Sequence, residues 1–126
     1  MRRGLAVLAV AAGFGLAGAP VAHADQTPTL GVAHPSGLPD ATGLGTVRPA
    51  TFSLASMATG TIRQISWDSW GGPQATGHGV HYDSTTNPDQ PIRLVAQDLG
   101  TCGGQLVYRQ IEEMNPGSSG TTFDLC

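Results

Sequence analysis

The sequence predicts a small all-β domain, built as an antiparallel β-sandwich or a partly open barrel. Two observations support this prediction. From residue 47 onward, short runs of β-branched, aromatic and aliphatic residues alternate with turns rich in Gly, Asn and Pro. In addition, no part of that region has the sustained spacing of apolar residues that a long helix requires.

Six strands follow from this alternation, and a turn separates each from the next. They cover residues 51–55, 61–67, 75–83, 91–99, 105–114 and 121–126. The first two place apolar side chains on one face, and the turn between them predicts a hairpin. The third is rich in glycine. The fourth alternates Ile92, Leu94 and Ala96 with polar residues, as a half-buried strand does.

The fifth strand, residues 105–114, has a competing interpretation. Its second half, with Glu112, Glu113 and Met114, has the composition of a helix. Its apolar residues fit a strand as well, and no N-cap residue precedes them. We therefore predict a strand here, with a helix as the alternative.

Residues 1–24 have the three parts of a secretory signal peptide. Two arginines are followed by an uncharged, mainly apolar stretch at 4–22, and an Ala-His-Ala cleavage motif ends at Ala24. A membrane anchor is the alternative, because about 20 apolar residues can span a bilayer. Since Pro20 interrupts the stretch and no basic cluster follows it, we predict cleavage after Ala24, secretion, and no membrane span in the mature protein.

The segment 25–46 contains three prolines and four glycines and few large side chains. Such a composition predicts a flexible arm rather than a packed element. The predicted organisation is therefore a signal peptide over 1–24, a flexible Pro/Gly-rich arm over 25–46, and a single β domain over 47–126.

The charge balance of the mature chain excludes two classes of partner. After Ala24 the chain has four arginines, no lysine and nine acidic residues, a formal net charge of 4 − 9 = −5. Nucleic acids and anionic lipids both require clustered positive charge. We therefore predict no nucleic-acid partner and no binding to anionic membranes.

The chain has two cysteines, Cys102 and Cys126. In an exported protein, an even pair predicts one disulfide. Closing a loop of this length stabilises the fold by about 3.5 kcal/mol in the chain-entropy model. The alternative is that Cys126, near the chain end, stays free.

The stretch SWDSWGGPQATGHGVHY over residues 66–82 contains two tryptophans and four glycines. Gly77 and Gly79 point to the same face of the third strand and leave a flat patch of backbone. An aromatic ring commonly covers such glycines. We therefore predict that an indole, that of Trp67, lies over both glycines, and that Gly71 and Gly72 supply unusual dihedral angles in the turn.

A ligand-binding interpretation of the same stretch competes with this packing role. Exposed tryptophans bind sugars and other flat ligands by stacking. On this view Trp70 and Tyr82 form an exposed aromatic shelf and are the candidate ligand-stacking residues.

The remaining polar residues do not predict a catalytic or metal site. His78 and His81 are three apart, so on a strand they face opposite sides and cannot easily share a metal ion. His81 and Asp83 share a face, but no serine lies in a nucleophile elbow. Glu112 and Glu113 also face apart, whereas glycosidases need two carboxylates about 5–9.5 Å apart. We predict no catalytic residues, no metal and no cofactor; a metal carrier using the two histidines is the remaining alternative.

Two segments of the chain resemble a group of small secreted actinobacterial proteins of unknown function. The first carries the pattern I-x-W-x-x-W-G-G followed by A-x-G-x-G, and the second carries the C-G-G turn and a following tyrosine. The matching positions are Pro49, Ile65, Trp67, Trp70, Gly71, Gly72, Ala75, Gly77, Gly79, Cys102, Gly103, Gly104 and Tyr108. The resemblance implies secretion and a β fold but no activity.

Together these features predict a non-enzymatic secreted β module that binds an extracellular protein or a component of the cell envelope. The alternative is a small extracellular carbohydrate-binding or hydrolytic protein that uses the region around Trp70.

Overall fold

The protein is described by a computed structural model over residues 26–56, 60–81, 89–115 and 119–126. Within these residues the chain forms strands, turns and bends and no α-helix. The all-β prediction is therefore confirmed. The predicted signal peptide, residues 1–24, lies outside the described residues.

Seven strands form one sheet. They are β1 (Thr29–Leu30), β2 (Phe52–Ser53), β3 (Thr61–Trp67), β4 (Ala75–His81), β5 (Gln90–Cys102), β6 (Gln105–Met114) and β7 (Thr121–Asp124). The order is β1-β6-β5-β4-β3-β2, and β7 also pairs with β6. Every pair is antiparallel except β1 with β6, which is parallel. The sheet curls into a half-barrel, so of the two predicted architectures the partly open barrel is the one observed.

Each predicted strand has a counterpart, and the strand over 105–114 replaces its helical alternative. That segment is β6, which pairs with three neighbours, β1, β5 and β7. Strand β5 runs to Cys102, further than predicted, because the turn after it is confined to Gly103 and Gly104. Both glycines have left-handed φ angles, of 60° and 84°, which a two-residue hairpin turn favours.

The core lies on the inner face of the curl. Its largest fully buried side chain is that of Tyr108, and apolar side chains from all seven strands or their flanks surround it. The main contributors are Leu30, Phe52, Ile62, Leu94, Ile111 and Leu125. Alternation is clear in β4, where every second residue is buried. It does not account for the whole core, because Tyr108 and Ile111 of β6 are both fully buried although they are three residues apart.

The structure differs from the prediction of a flexible arm over residues 25–46. From residue 26 this segment packs onto the sheet, and Leu30 and Leu44 are core residues. Backbone hydrogen bonds also hold it: Gly31 N donates to Tyr108 O at 3.0 Å, and Gly45 N donates to Leu30 O at 2.8 Å. The Pro- and Gly-rich composition therefore produces a tightly bent, ordered segment, and the packed domain begins before residue 47.

The C-terminal residues close the fold against this N-terminal segment. Leu125 is fully buried, its N–H donates to Arg109 O at 2.8 Å, and its carbonyl accepts from Val32 N at 3.0 Å. Cys126 is joined to Cys102 in the predicted disulfide, with Cα atoms 5.9 Å apart. The bridge ties the chain end to the β5–β6 hairpin.

Candidate functional site

The tryptophan–glycine stretch forms a packing cluster, and the predicted contact between Trp67 and Gly77 is present. The two residues are register partners across β3 and β4. A Cβ atom added to Gly77 would lie 2.8 Å from the Trp67 ring. Gly79 differs from the prediction, because Ile65 and Ile62 cover it instead of the indole. A register shift in β3 before Ser66 separates the two covered positions.

The two indole N–H groups donate to backbone carbonyls of residues that precede β1 and β2. Trp67 Nε1 donates to Pro49 O at 2.9 Å, and Trp70 Nε1 donates to Pro28 O at 2.9 Å. The rings also meet edge to face, with centroids 4.7 Å apart. The motif therefore contributes hydrogen bonds that hold a segment without regular structure, in addition to apolar packing.

Tyr108 completes the cluster from the neighbouring hairpin. Its ring meets that of Trp70 edge to face at 5.1 Å. Its hydroxyl donates to Gly72 O at 2.7 Å and accepts from Gly71 N at 2.8 Å. Burial raises the pKa of the phenol, although the Gly71 N–H and the charge of Arg48 oppose the rise. The neutral hydroxyl thus fixes the backbone of the turn that follows Trp70.

Of the two glycines in this turn, one has the predicted unusual backbone. Gly71 has a φ of 99°, which disfavours any other residue. Gly72 does not have a left-handed φ. Its carbonyl instead approaches Tyr108, as described above.

The candidate ligand-stacking residues are only partly described. Trp70 is half-buried, so one part of its ring is in the cluster and another part reaches solvent. Tyr82 lies outside the described residues. The aromatic shelf that the two would form therefore stays a prediction.

The two histidines lie on opposite faces, as the strand spacing predicts. His78 points outward, and its Nδ1 lies 3.6 Å from the carboxylate of Asp68. His81 points inward, is 8% exposed, and places Nε2 2.8 Å from Asn115 Oδ1. Asp83, the predicted same-face neighbour of His81, is outside the described residues. In the described part of the chain, no group of three metal-ligating side chains comes together.

Sequence reasoning missed the buried carboxyl of Glu113. It stands opposite Leu94 of β5 on the inner face, and its Oε2 is buried without a hydrogen-bond partner. Burial raises the pKa of this carboxyl to about 7. The signal that could have found it is the spacing of two from the core residue Ile111, which places both on one face.

An open depression lies beside the turn that Tyr108 holds. It is lined on one side by the turn residues Gly71, Pro73 and Gln74, and on the other by Asp98 and Leu99 of β5. A second depression shares Gly71 and Leu99 and continues along β5 past Gly100 and Thr101 to Arg109. Gln26 and Leu106 also line it. We call this continuous surface, from Pro73 to Thr101, the turn-side groove.

The groove contains one ion pair on its β5–β6 side. Arg109 Nη2 lies 2.8 Å from Asp98 Oδ1, and both side chains are partly exposed. The guanidinium lies flat over Gly100, where a Cβ atom would be 2.6 Å from its central carbon. Asp98 has a left-handed φ of 58°, so the strand is kinked at this point.

The fold and the cluster define the protein as a small all-β domain with one disulfide. No protein-family model, no curated protein and no solved structure matches the chain. In the described residues no helix is long and apolar enough to cross a membrane.

Proposed function

We propose that the protein is a secreted, non-enzymatic β module that binds an extracellular protein or a component of the cell envelope. The turn-side groove is the proposed binding surface. Secretion is supported by the signal-peptide pattern of residues 1–24 and by the disulfide, which persists best in oxidising compartments.

The observation that carries this proposal is the fixed wall of the groove. Tyr108 bonds both glycines of the turn, and the Trp70 indole bonds Pro28 behind it. A surface that is held in this way loses little conformational entropy when a partner binds.

The shape of the groove favours a macromolecular partner. Small-molecule sites are enclosed and bury most of their ligand. This groove is open and mixes apolar Leu99 and Pro73 with polar Gln74 and an ion pair. Such mixed, shallow surfaces are typical of protein interfaces.

A photo-crosslinking experiment tests the proposed surface. A benzophenone amino acid at the exposed position Gln74 should form crosslinks when the secreted protein is incubated with envelope extract and culture medium. The matched control carries the same group at Thr122, an exposed position of β7. Equal crosslinking at both positions, or none at Gln74, would contradict the proposal.

The alternative function, carbohydrate binding or hydrolysis at Trp70, is supported by the part of the indole that reaches solvent. A glycan array probed with the secreted protein tests it. Binding that disappears in the Trp70→Phe variant, with the fold intact, would favour a sugar ligand. Retention of no glycan would leave the protein-binding proposal as the better one.

A further inference from the structure

Strand β5 is longer than the strand that covers one of its edges. Pairing of β4 with β5 ends at Ala75 and Ala96, whereas pairing of β6 with β5 continues to Gln105 and Cys102. Among the described residues, the last part of β5 therefore has a strand on one side only.

The hydrogen-bonding direction of this edge follows from the register. Leu99 is opposite Tyr108, whose carbonyl accepts from Gly31 N on the far side of β6. In an antiparallel ladder this makes Leu99 and Tyr108 a non-hydrogen-bonded pair, so the N–H and C=O of Leu99 point away from β6. Thr101, two residues further along, points the same way. No described residue bonds these four backbone groups.

The turn after Trp70 is kept off this edge by Tyr108. A regular continuation of β4 would place Gly71 and Gly72 beside β5. The buried hydroxyl of Tyr108 binds both residues instead, and the groove lies between the turn and Leu99. The fold therefore maintains an open strand edge with a wall beside it.

We propose that an extended segment of a partner protein adds to the sheet along Leu99–Cys102. This inference rests on the proposed function and specifies the partner's conformation. Its backbone pairs with Leu99 and Thr101, and its alternate side chains enter the groove between Leu99 and Pro73. A strand is the ligand that supplies donors and acceptors at the spacing of two residues.

Two features limit the site and favour a peptide segment over a second copy of this chain. The kink at Asp98 ends the regular edge, so the paired stretch is short. Residues 71–74 border this edge, with Gly71, Pro73 and Gln74 across the groove from Leu99. Pairing of two copies edge to edge would have to accommodate residues 71–74 of both, whereas a peptide segment carries no such wall.

Substitution of Thr101 provides the direct test, because its side chain is exposed and its N–H points out of the sheet. Thr101→Pro removes this donor and leaves the β5–β6 ladder intact. Thr101→Ala is the matched control, because it shortens the side chain and keeps the donor. Short peptides selected from a phage-displayed random library on the wild-type secreted protein serve as the probe.

Binding of each synthetic peptide is measured by fluorescence anisotropy. Thr101→Pro should weaken binding about tenfold, the loss expected for one or two hydrogen bonds. Thr101→Ala should stay within about twofold. In wild-type protein the peptide should slow amide exchange at Leu99 and Thr101. If Thr101→Pro does not fold, N-methylated peptides test the same pairing. Methylation of the alternate peptide residues whose N–H groups face β5 should abolish binding, whereas methylation of the intervening residues should not.

Three results would overturn the inference. The first is that the library yields no peptide whose binding requires the Thr101 N–H. The second is equal binding by Thr101→Pro and wild type. The third is a concentration-dependent dimer of the secreted protein that Thr101→Pro dissociates, since the edge would then bind a second copy. Crosslinking at Gln74 that persists in Thr101→Pro would preserve the proposed function while rejecting strand addition.

Discussion

Replacing Glu113 with glutamine should make the protein less sensitive to alkaline pH. The wild-type carboxyl is buried on the inner face with one oxygen lacking a hydrogen bond, and its pKa is raised from 4.5 to about 7 by burial. The folded state therefore holds the proton more tightly than the unfolded chain. Consequently the contribution of Glu113 to the free energy of unfolding decreases as pH rises from about 4.5 to above 7.

The size of the effect follows from the two pKa values. A difference of this size corresponds to about 3 kcal/mol if the side chain is fully shielded. Because Glu113 is only partly buried, we expect about 1–2 kcal/mol. Glutamine is neutral at every pH, so the variant should gain this amount over wild type between pH 5 and pH 8.

Urea unfolding at a series of pH values, with the disulfide intact, measures the difference. Glu112→Gln is the matched control, because Glu112 is adjacent but its side chain lies on the other face of β6, beside Gly120. The reasoning is refuted if wild type and Glu113→Gln lose stability in parallel as the pH rises. It is also refuted if Glu112→Gln reproduces the change.

Three further predictions concern the packing cluster and the disulfide. Gly77→Ala should destabilise the fold by about 1–3 kcal/mol, because its Cβ would displace the Trp67 ring; a red shift of tryptophan fluorescence should accompany the loss, and unchanged stability and emission would disprove the contact. Tyr108→Phe should cost about 1–3 kcal/mol, since it leaves both turn glycines without their partner; a smaller loss in urea unfolding would mean that water replaces the hydroxyl. Reduction of Cys102–Cys126 should lower stability by about 3.5 kcal/mol, which thermal unfolding with and without reductant measures, and equal midpoints would show that the bridge adds nothing.

The strands were predictable because alternation of apolar and polar residues is a local signal. The first half of β5 is the best example, with Ile92, Leu94 and Ala96 buried. Strand β6 does not alternate, and it was predicted as a strand because its apolar residues fit one and no N-cap residue precedes them. The side chain at position 113 of β6 lies on the inner face, and the residue there is a glutamate. Residue type argues against burial of a carboxylate, so only the face assignment could have identified this site.

The N-terminal segment was not predictable from composition. Its order depends on Leu30, Leu44 and backbone bonds to residues that are distant in sequence, Tyr108 and Leu125. A Pro- and Gly-rich sequence gives no indication of such partners. The groove was missed for a similar reason. It arises where β5 extends beyond the end of β4, and strand ends are the least certain part of a sequence-based prediction.

The backbone bond from Val32 to Leu125 joins residues 93 positions apart (125 − 32). During synthesis, the N-terminal segment is made well before this partner. Contacts between such remote positions form slowly. Docking of the N-terminal segment against the sheet therefore requires Leu125, and a chain truncated before residue 125 should leave its first strand accessible to protease.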